Sequence, residues 1–258
     1  MSFSRFTLRA LNALLSIFLF LLILSAGAYS AFALWDNNQV YAAADNVQAG
    51  LLAFKPSAEA TAEERAASFD ELMAINPDVC AWLTVENTKI DYPVLQGKDN
   101  LSYINTDVYG DFALAGSIFL DTRCARDFSG KYSLLYGHHM ENSKMFGDLD
   151  LFKDETFFNE NSAGTLLLPD RVYELEIYAC LLVPASDDVL FEPEEWLGDD
   201  ISSVHAYVEE NALFLRRETF ETAKLPDVQV LALSTCAAEF TDARTIVLAV
   251  MHEVTPEE

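Results

Sequence analysis

Two short apolar segments, Val228–Cys236 and Thr245–Met251, lie near the C-terminus. Both are rich in Val, Ile, Leu and Ala, as buried β-strands are. The connection between them, Ala237–Ala243, is polar and short. We therefore predict two strands joined by a tight loop.

Other apolar runs, separated by Asn, Pro and Gly, predict the remaining strands of a mainly β domain. They are Val79–Val85, Ile90–Leu95, Ser117–Leu120, Lys131–Tyr136, Thr165–Pro169 and Arg171–Pro184. The strand pattern stops between Ser186 and Lys224. Within that insertion, amphipathic spacing over Ile201–Leu215 predicts a helix. The acidic pair Asp199-Asp200 stands at its N-terminal end, where the helix dipole favours negative charge.

Two further helical segments are predicted. Thr61–Ala74 begins with Thr61 and has Glu64 three residues later, which is the pattern of a capping box. Its apolar side would consist of Phe69, Leu72 and Met73. In Met145–Phe158 the apolar residues recur at helical spacing, so a short helix is expected there.

The N-terminal segment predicts a membrane anchor. Arg5 and Arg9 precede Ala10–Leu34, which carries no charged residue. About 20 apolar residues cross a bilayer as a helix, and the positive flank stays in the cytoplasm. A cleaved signal peptide is the alternative, because Ala31-Phe-Ala33 matches a cleavage pattern. The apolar run is longer than the usual core of a signal peptide, which favours the uncleaved anchor.

These patterns predict the domain organisation. Residues 1–9 form a cytoplasmic tail, 10–34 a transmembrane signal-anchor helix, and 35–68 a juxtamembrane spacer and helix. Residues 69–258 form an extracellular domain. The predicted location is thus the cell membrane, with a single pass and a cytoplasmic N-terminus.

Composition narrows the possible partners. The chain has 258 residues, is 51% hydrophobic and has a formal net charge of −25. The apolar content is that of a globular protein. The negative charge argues against nucleic acid, because phosphates would be repelled. It identifies no substrate, since acidic surfaces often serve only solubility.

Four cysteines are present: Cys80, Cys124, Cys180 and Cys236. Their wide spacing and the size of the domain argue against two disulfides, although a Cys80–Cys124 pair stays open. Cys180 lies within a predicted strand and is expected to be buried. No CxxC or CxxH spacing suggests zinc, so we predict neither a metal nor a cofactor.

Cys236 ends one predicted strand and Arg244 begins the next. In a hairpin the two positions are neighbours. A cation beside a cysteine favours the reactive thiolate and can also stabilise an oxyanion on a carbonyl under attack. The alternative interpretation is a buried hydrophobic cysteine with Arg244 on a solvated rim.

Histidine supplies the third element of this chemistry. In Leu134–Gly147 a strand-like run ends at Gly137 and is followed by His138 and His139. Cysteine, histidine and arginine at the ends of strands meet the requirements for thiol nucleophilic catalysis.

The motifs around these residues resemble those of class B sortases, which are cysteine transpeptidases of the Gram-positive cell surface. Two motifs carry the resemblance. One is LSTC followed eight residues later by Arg, and the other is YGHHM followed by MFGDL. Asn76–Gln96 and Gly116–Asp121 are also similar to the family, so the match covers roughly Phe69 to Met251. The TC…R and GH elements are common to all sortases. The MFGDL run and the insertion before the last strands point to class B.

The resemblance implies an eight-stranded β-barrel with an N-terminal helix and a helical insertion before the last two strands. It assigns Cys236 as nucleophile, His138 as acid/base and Arg244 as the cation that binds the oxyanion and positions the substrate. His139 falls where the family varies. Ser234 and Thr235 are expected either to line the substrate groove or to be ordinary strand residues.

The implied activity is cleavage of a C-terminal sorting signal after Thr, through a thioacyl-enzyme, and transfer to an amine of peptidoglycan. Class B members mostly act on motifs of the Asn-Pro-x-Thr type. The alternative acceptor is a pilin lysine. A papain-like protease is disfavoured, because that family places its cysteine on a helix and before the histidine. A surface scaffold would leave the motifs unexplained.

Overall fold

The strands of the domain form a closed, mixed β-barrel. The computed structural model describes residues 2–192, 200–236 and 242–254. In chain order the strands are β1 (Val79–Val85), β2 (Asp91–Leu95), β3 (Ile118–Leu120), β4 (Tyr132–Tyr136), β5 (His139–Met140), β6 (Lys144–Met145), β7 (Ala163–Leu167), β8 (Val172–Pro184), β9 (Ala212–Leu215), β10 (Gln229–Cys236) and β11 (Ala243–Val254).

Eight of the described strands make the barrel wall. Their order is β11-β10-β4-β3-β2-β1-β7-β8, and pairing of β11 with β8 closes the ring. The β2–β3 and β4–β10 pairs are parallel and the other pairs are antiparallel. Closure removes the free edges of the wall, which would otherwise invite pairing with other chains. The predicted eight-stranded barrel is confirmed.

Apolar side chains cover both faces of the wall. The larger cluster lies among β4, β8, β10 and β11 and includes Leu134, Tyr178 and Ile246, all fully buried. The second cluster packs the helix after Thr61 onto β1 through Phe69 and Trp82. Burying a side chain of this size stabilises a fold by about 1.5–3 kcal/mol.

The described residues also form helices. They are α1 (Ser2–Leu52), α2 (Ala62–Ile75), a 3₁₀ helix (Gly147–Lys153), α3 (Glu155–Glu160), α4 (Asp188–Phe191), α5 (Ser202–Asn211) and α6 (Arg217–Ala223). The predicted capping box of α2 is present. Thr61 Oγ1 accepts from the Glu64 backbone at 3.3 Å, and Glu64 Oε2 accepts from the Thr61 backbone at 3.0 Å. Phe69 and Leu72 are buried as predicted.

The first helix is longer than the sequence pattern predicted. The chain divides into two compact units, Met1–Ala43 and Ala44–Glu258. Helix α1 continues past Leu34 to Leu52, through residues predicted as a spacer. Those residues include many good helix formers, and the helix ends shortly before Pro56. An apolar window of Phe6–Leu52 reaches a mean hydropathy of 2.3, so length and composition would allow this helix to cross a membrane.

The helical insertion before the last two strands is confirmed, but its details differ. The predicted helix Ile201–Leu215 ends at Asn211, and Ala212–Leu215 forms β9, which pairs with β8. Only Phe214 in β9 has a high strand propensity, so the backbone partners that β8 supplies decide the structure. Asp200 stands at the helix start and accepts from the Ser202 backbone at 2.9 Å. Asp199 lies outside the described residues.

The segment after the histidines contains two short helices instead of one. The break falls at Asp154, whose side chain caps α3 by accepting from the Phe157 backbone at 2.9 Å. Met145, Phe146, Leu149 and Phe152 are buried, as their spacing predicted.

Three cysteines are structural. Cys80, Cys124 and Cys180 are free and buried, so the open question of a Cys80–Cys124 disulfide is answered in the negative. Burial raises the pKa of each of these thiols to about 12. They are therefore protonated and unreactive at neutral pH.

His205 is a buried histidine in the helical insertion, so its protonation reports on the packing there. Its ring is buried on α5 against Phe220, with centroids 6.1 Å apart, and its Nδ1 has no hydrogen-bond partner in the described structure. Burial, and then the charge of Lys224, lower the pKa of His205 below 6.5. The unfolded chain therefore takes up this proton first as the pH falls below about 6.5.

We expect acidification from pH 7.5 to pH 5 to lower the free energy of unfolding more in the wild type than in His205→Leu. Denaturant unfolding of the full chain in detergent at both pH values measures the difference. Equal losses in both proteins would contradict the linkage.

Candidate active site

The β10–β11 hairpin carries the predicted nucleophile and the predicted cation. In its antiparallel register, Thr235 pairs with Thr245 and Cys236 pairs with Arg244. Cα atoms of such partners lie about 4.5–5.5 Å apart. The backbone therefore holds Cys236 and Arg244 side by side, as the spacing predicted. The Cys236 side chain and Ala237–Thr241, which make up most of the predicted loop with its Glu239, lie outside the described structure.

The parallel pair β4–β10 sets the position of His138 along the barrel. Tyr136 pairs with Ser234, and the Gly137 backbone N–H donates to the Ser234 carbonyl at 3.2 Å. His138 follows Tyr136 by two residues, and Cys236 follows Ser234 by two. Both strands run in the same direction, so the backbones of His138 and Cys236 reach the same end of the barrel on adjacent strands.

Two glycines allow the chain to pack tightly around His138. A Cβ at Gly137 would lie 2.5 Å from Ile118 Cδ1 and 2.8 Å from the Phe146 ring. At Gly147 it would lie 2.1 Å from the Met140 carbonyl oxygen. These distances are too short for a side chain, so both glycines are needed for the close approach.

The ring of His138 is half-buried and held by a backbone carbonyl. Its Nε2 lies 2.7 Å from the Ile104 carbonyl oxygen. A carbonyl can only accept, so Nε2 carries a hydrogen and donates it. In the neutral ring Nδ1 is then the basic nitrogen. This partner was missed at the sequence level, because a backbone carbonyl leaves no side-chain signal.

The neighbouring His139 makes a different contact. Its exposed ring places Nε2 3.1 Å from Asp150 Oδ2, on the 3₁₀ helix. The two adjacent histidines thus bind to separate parts of the fold, His138 to the segment before β3 and His139 to the helix after β6.

Arg244 is half-buried and donates through Nη1 to the Ala243 carbonyl at 3.0 Å. Within residues 2–192, 200–236 and 242–254, no carboxylate lies within ion-pair distance of its guanidinium. Its remaining donors are therefore not committed to a described acid. A planar guanidinium with uncommitted N–H groups can bind a carbonyl oxygen that becomes an oxyanion.

Ser234 and Thr235 lie in the barrel wall. Each is only 2% exposed, and Thr235 Oγ1 has no hydrogen-bond partner in the described structure. Their contribution to a substrate groove stays a prediction.

No protein-family model matches the chain. Sortase B of Listeria monocytogenes is 38% identical over 109 residues, which are 42% of this chain and 44% of that protein. The chain spans about half the length of the curated relatives it matches.

Solved structures extend the likeness over nearly three quarters of the chain. A substrate complex of Staphylococcus aureus sortase B superposes with a TM-score of 0.64 at 25% identity, covering 74% of this chain and 87% of the other. A Streptococcus pyogenes class B sortase involved in pilus biogenesis superposes with a TM-score of 0.65 at 38% identity, covering 71% of this chain and 97% of the other. With that fold, coverage and identity, the chain belongs to the class B sortase family.

Proposed function

We propose that the protein is a cysteine transpeptidase that cleaves a C-terminal sorting signal after Thr and transfers the acyl group to an amine. The observation that supports this most is the strand register. It brings the backbones of His138, Cys236 and Arg244 to one end of the barrel on three neighbouring strands. Family membership supplies the reaction class.

The first step is acylation. The Cys236 thiol gives its proton to Nδ1 of His138. The thiolate then attacks the Thr carbonyl, and Arg244 stabilises the oxyanion that develops. When the tetrahedral intermediate collapses, the C–N bond breaks and a thioester remains on Cys236. His138 gives a proton to the departing amine, with Nδ1 as the exchanging nitrogen because Nε2 is bonded to the Ile104 carbonyl.

The second step is transfer. An acceptor amine attacks the thioester, His138 accepts its proton, and the thiolate leaves as the new amide forms. The proton on His138 is thereby restored for the next cycle. Peptidoglycan is the proposed source of the amine. A pilin lysine is the second candidate, supported by the pilus role of the Streptococcus pyogenes relative.

The proposed partners require a membrane-bound enzyme outside the cytoplasm. Helix α1 is long and apolar enough to span a bilayer. The arginines that precede its apolar part favour a cytoplasmic N-terminus. We place the catalytic domain, residues 69–258, outside the cell as a single-pass protein in the cell membrane.

A ligation assay tests the proposal. The full chain in detergent is incubated with an Asn-Pro-x-Thr peptide and either a peptidoglycan stem peptide or a lysine-containing pilin peptide. We expect cleavage after Thr and a new amide to one of these amines, identified by mass spectrometry. Cleavage that yields only the hydrolysed acid, with amine in excess, would contradict transfer. The amine that is joined identifies the acceptor.

Arg244→Lys tests how the cation acts. If the fork of donors binds the oxyanion, the acylation rate should fall by about 10²–10³, the usual cost of one lost donor. The pH dependence of Cys236 alkylation should hardly change, since Lys keeps the charge. Near-normal acylation by the Lys variant, together with a raised thiol pKa in Arg244→Gln, would show that thiolate stabilisation dominates instead.

A further inference from the structure

Asp150 connects two parts of the proposed site that no covalent bond joins directly. It lies on the 3₁₀ helix Gly147–Lys153. Its Oδ1 accepts from Thr245 Oγ1 of β11 at 2.8 Å, and its Oδ2 lies 3.1 Å from His139 Nε2. Thr245 directly follows Arg244, and His139 directly follows His138. One carboxylate thus binds the immediate neighbours of both residues.

The contacts are those of a fixed carboxylate. Thr245 is 0% exposed. Water could therefore replace Asp150 as the hydrogen-bond partner of its hydroxyl only if the strand became exposed. Lys153 Nζ lies 3.0 Å from Oδ1 and offsets the negative charge. A carboxylate with several donors is held more rigidly than one with a single donor, because each bond restricts a different direction.

On the barrel side of Asp150, few polar contacts could replace its hydrogen bond with Thr245. Thr235, the cross-strand partner of Thr245, has a buried Oγ1 without a hydrogen-bond partner in the described structure. It precedes Cys236. Besides the backbone bond from Gly137 to Ser234, the described structure connects the hairpin to the histidine segment through the side chains of Thr245, Asp150 and His139.

We propose that Asp150 is a positioning residue for the transpeptidase reaction, an inference that rests on the proposed function. Its carboxylate ties the His138–His139 segment to the strand that carries Arg244. The imidazole and the guanidinium act on opposite ends of the same scissile bond, so their separation must be held as the bond breaks. A misplacement of about 1 Å can cost about 10²-fold in rate.

The test uses three variants: Asp150→Ala, Thr245→Val and the double variant that combines these two changes. They are compared with a control variant, Glu155→Gln. The control removes the same charge at an exposed position on α3 and should behave like the wild type. Acylation by an Asn-Pro-x-Thr peptide gives kcat and KM, and a thiol probe titrates the reactive cysteine. One thiol is expected to react, because Cys80, Cys124 and Cys180 are buried.

We expect Asp150→Ala to lower kcat per titrated thiol about 10- to 100-fold, with KM changed less than twofold. Thr245→Val should lower kcat alone and add little to Asp150→Ala, since both break the same connection. A purely structural role would instead lower the melting temperature and the titrated fraction, and leave kcat per thiol unchanged. That result overturns the proposal.

Failure of the role of Asp150 and failure of the proposed function give different results. If the wild type acylates and Asp150→Ala keeps its kcat, only the role of Asp150 is wrong. If the wild type forms no thioacyl-enzyme with any motif peptide, the proposed function and the role of Asp150 both fall.

Discussion

Cys236→Ala is expected to abolish thioacyl-enzyme formation and to lower turnover by at least about 10⁴, the scale of losing a catalytic nucleophile. No other described cysteine can replace it. Cys80, Cys124 and Cys180 are buried, and burial raises the pKa of each thiol to about 12. The fold should survive, because Cys236 ends β10 and pairs with Arg244 through its backbone.

Cys124→Ala is the matched control for that variant. It removes a thiol from a buried position in the connection between β3 and β4 and should acylate at the wild-type rate per folded molecule. Circular dichroism and thermal melting check the fold of both variants. An acyl adduct on Cys236→Ala, or loss of acylation in well-folded Cys124→Ala, would show that the nucleophile has been misassigned.

His138→Ala is expected to lower turnover by about 10²–10⁴, the usual contribution of a general acid–base residue. His139→Ala should cost about tenfold, the lower end of the range expected for Asp150→Ala, because it breaks the same connection. His138 has its Nε2 fixed by the Ile104 carbonyl, which leaves Nδ1 to exchange protons, whereas His139 contacts Asp150 from an exposed position. His139 therefore acts through the segment it helps to hold.

The two histidine variants form their own matched pair, since they remove the same ring from adjacent positions. Turnover with saturating peptide and amine is the measurement. If His139→Ala loses activity as completely as His138→Ala, the assignment of His138 as the single acid/base is not supported.

Most of the barrel could be predicted from the sequence because its strands are short apolar runs with clear boundaries. β1 was predicted with its observed ends, Val79–Val85, and the predicted hairpin at Cys236 and Arg244 pairs in the expected register. The capping box at Thr61 was equally local. Each of these features depends on residues close together in the chain, where pattern and propensity act directly.

Two of the segments that differ from the prediction do so for different reasons, one because of a distant contact and one because of local helix propensity. The segment Ala212–Leu215 has spacing compatible with a helix, but it becomes a strand by pairing with the part of β8 that extends beyond β7. Helix α1 continues through residues whose polarity had suggested a spacer. In both segments, local polarity and periodicity were compatible with more than one structure.

The site was predictable to the level of residue types but not of contacts. Cysteine, histidine and arginine stand in recognisable motifs. The Ile104 carbonyl that holds His138 belongs to a backbone 34 residues away, and Asp150 reaches Thr245 across 95 residues. No pattern of residues near in sequence signals either contact, so both become visible only in the folded structure.

The central claim is that Cys236 becomes acylated by a sorting signal. The most direct measurement is mass spectrometry of the full chain after brief exposure to an Asn-Pro-x-Thr peptide without added amine, followed by proteolytic mapping. We expect one acyl group, ending in the substrate Thr, as a thioester on the peptide that contains Cys236. Cleavage of the substrate without an adduct, or an adduct on any other residue, would contradict it.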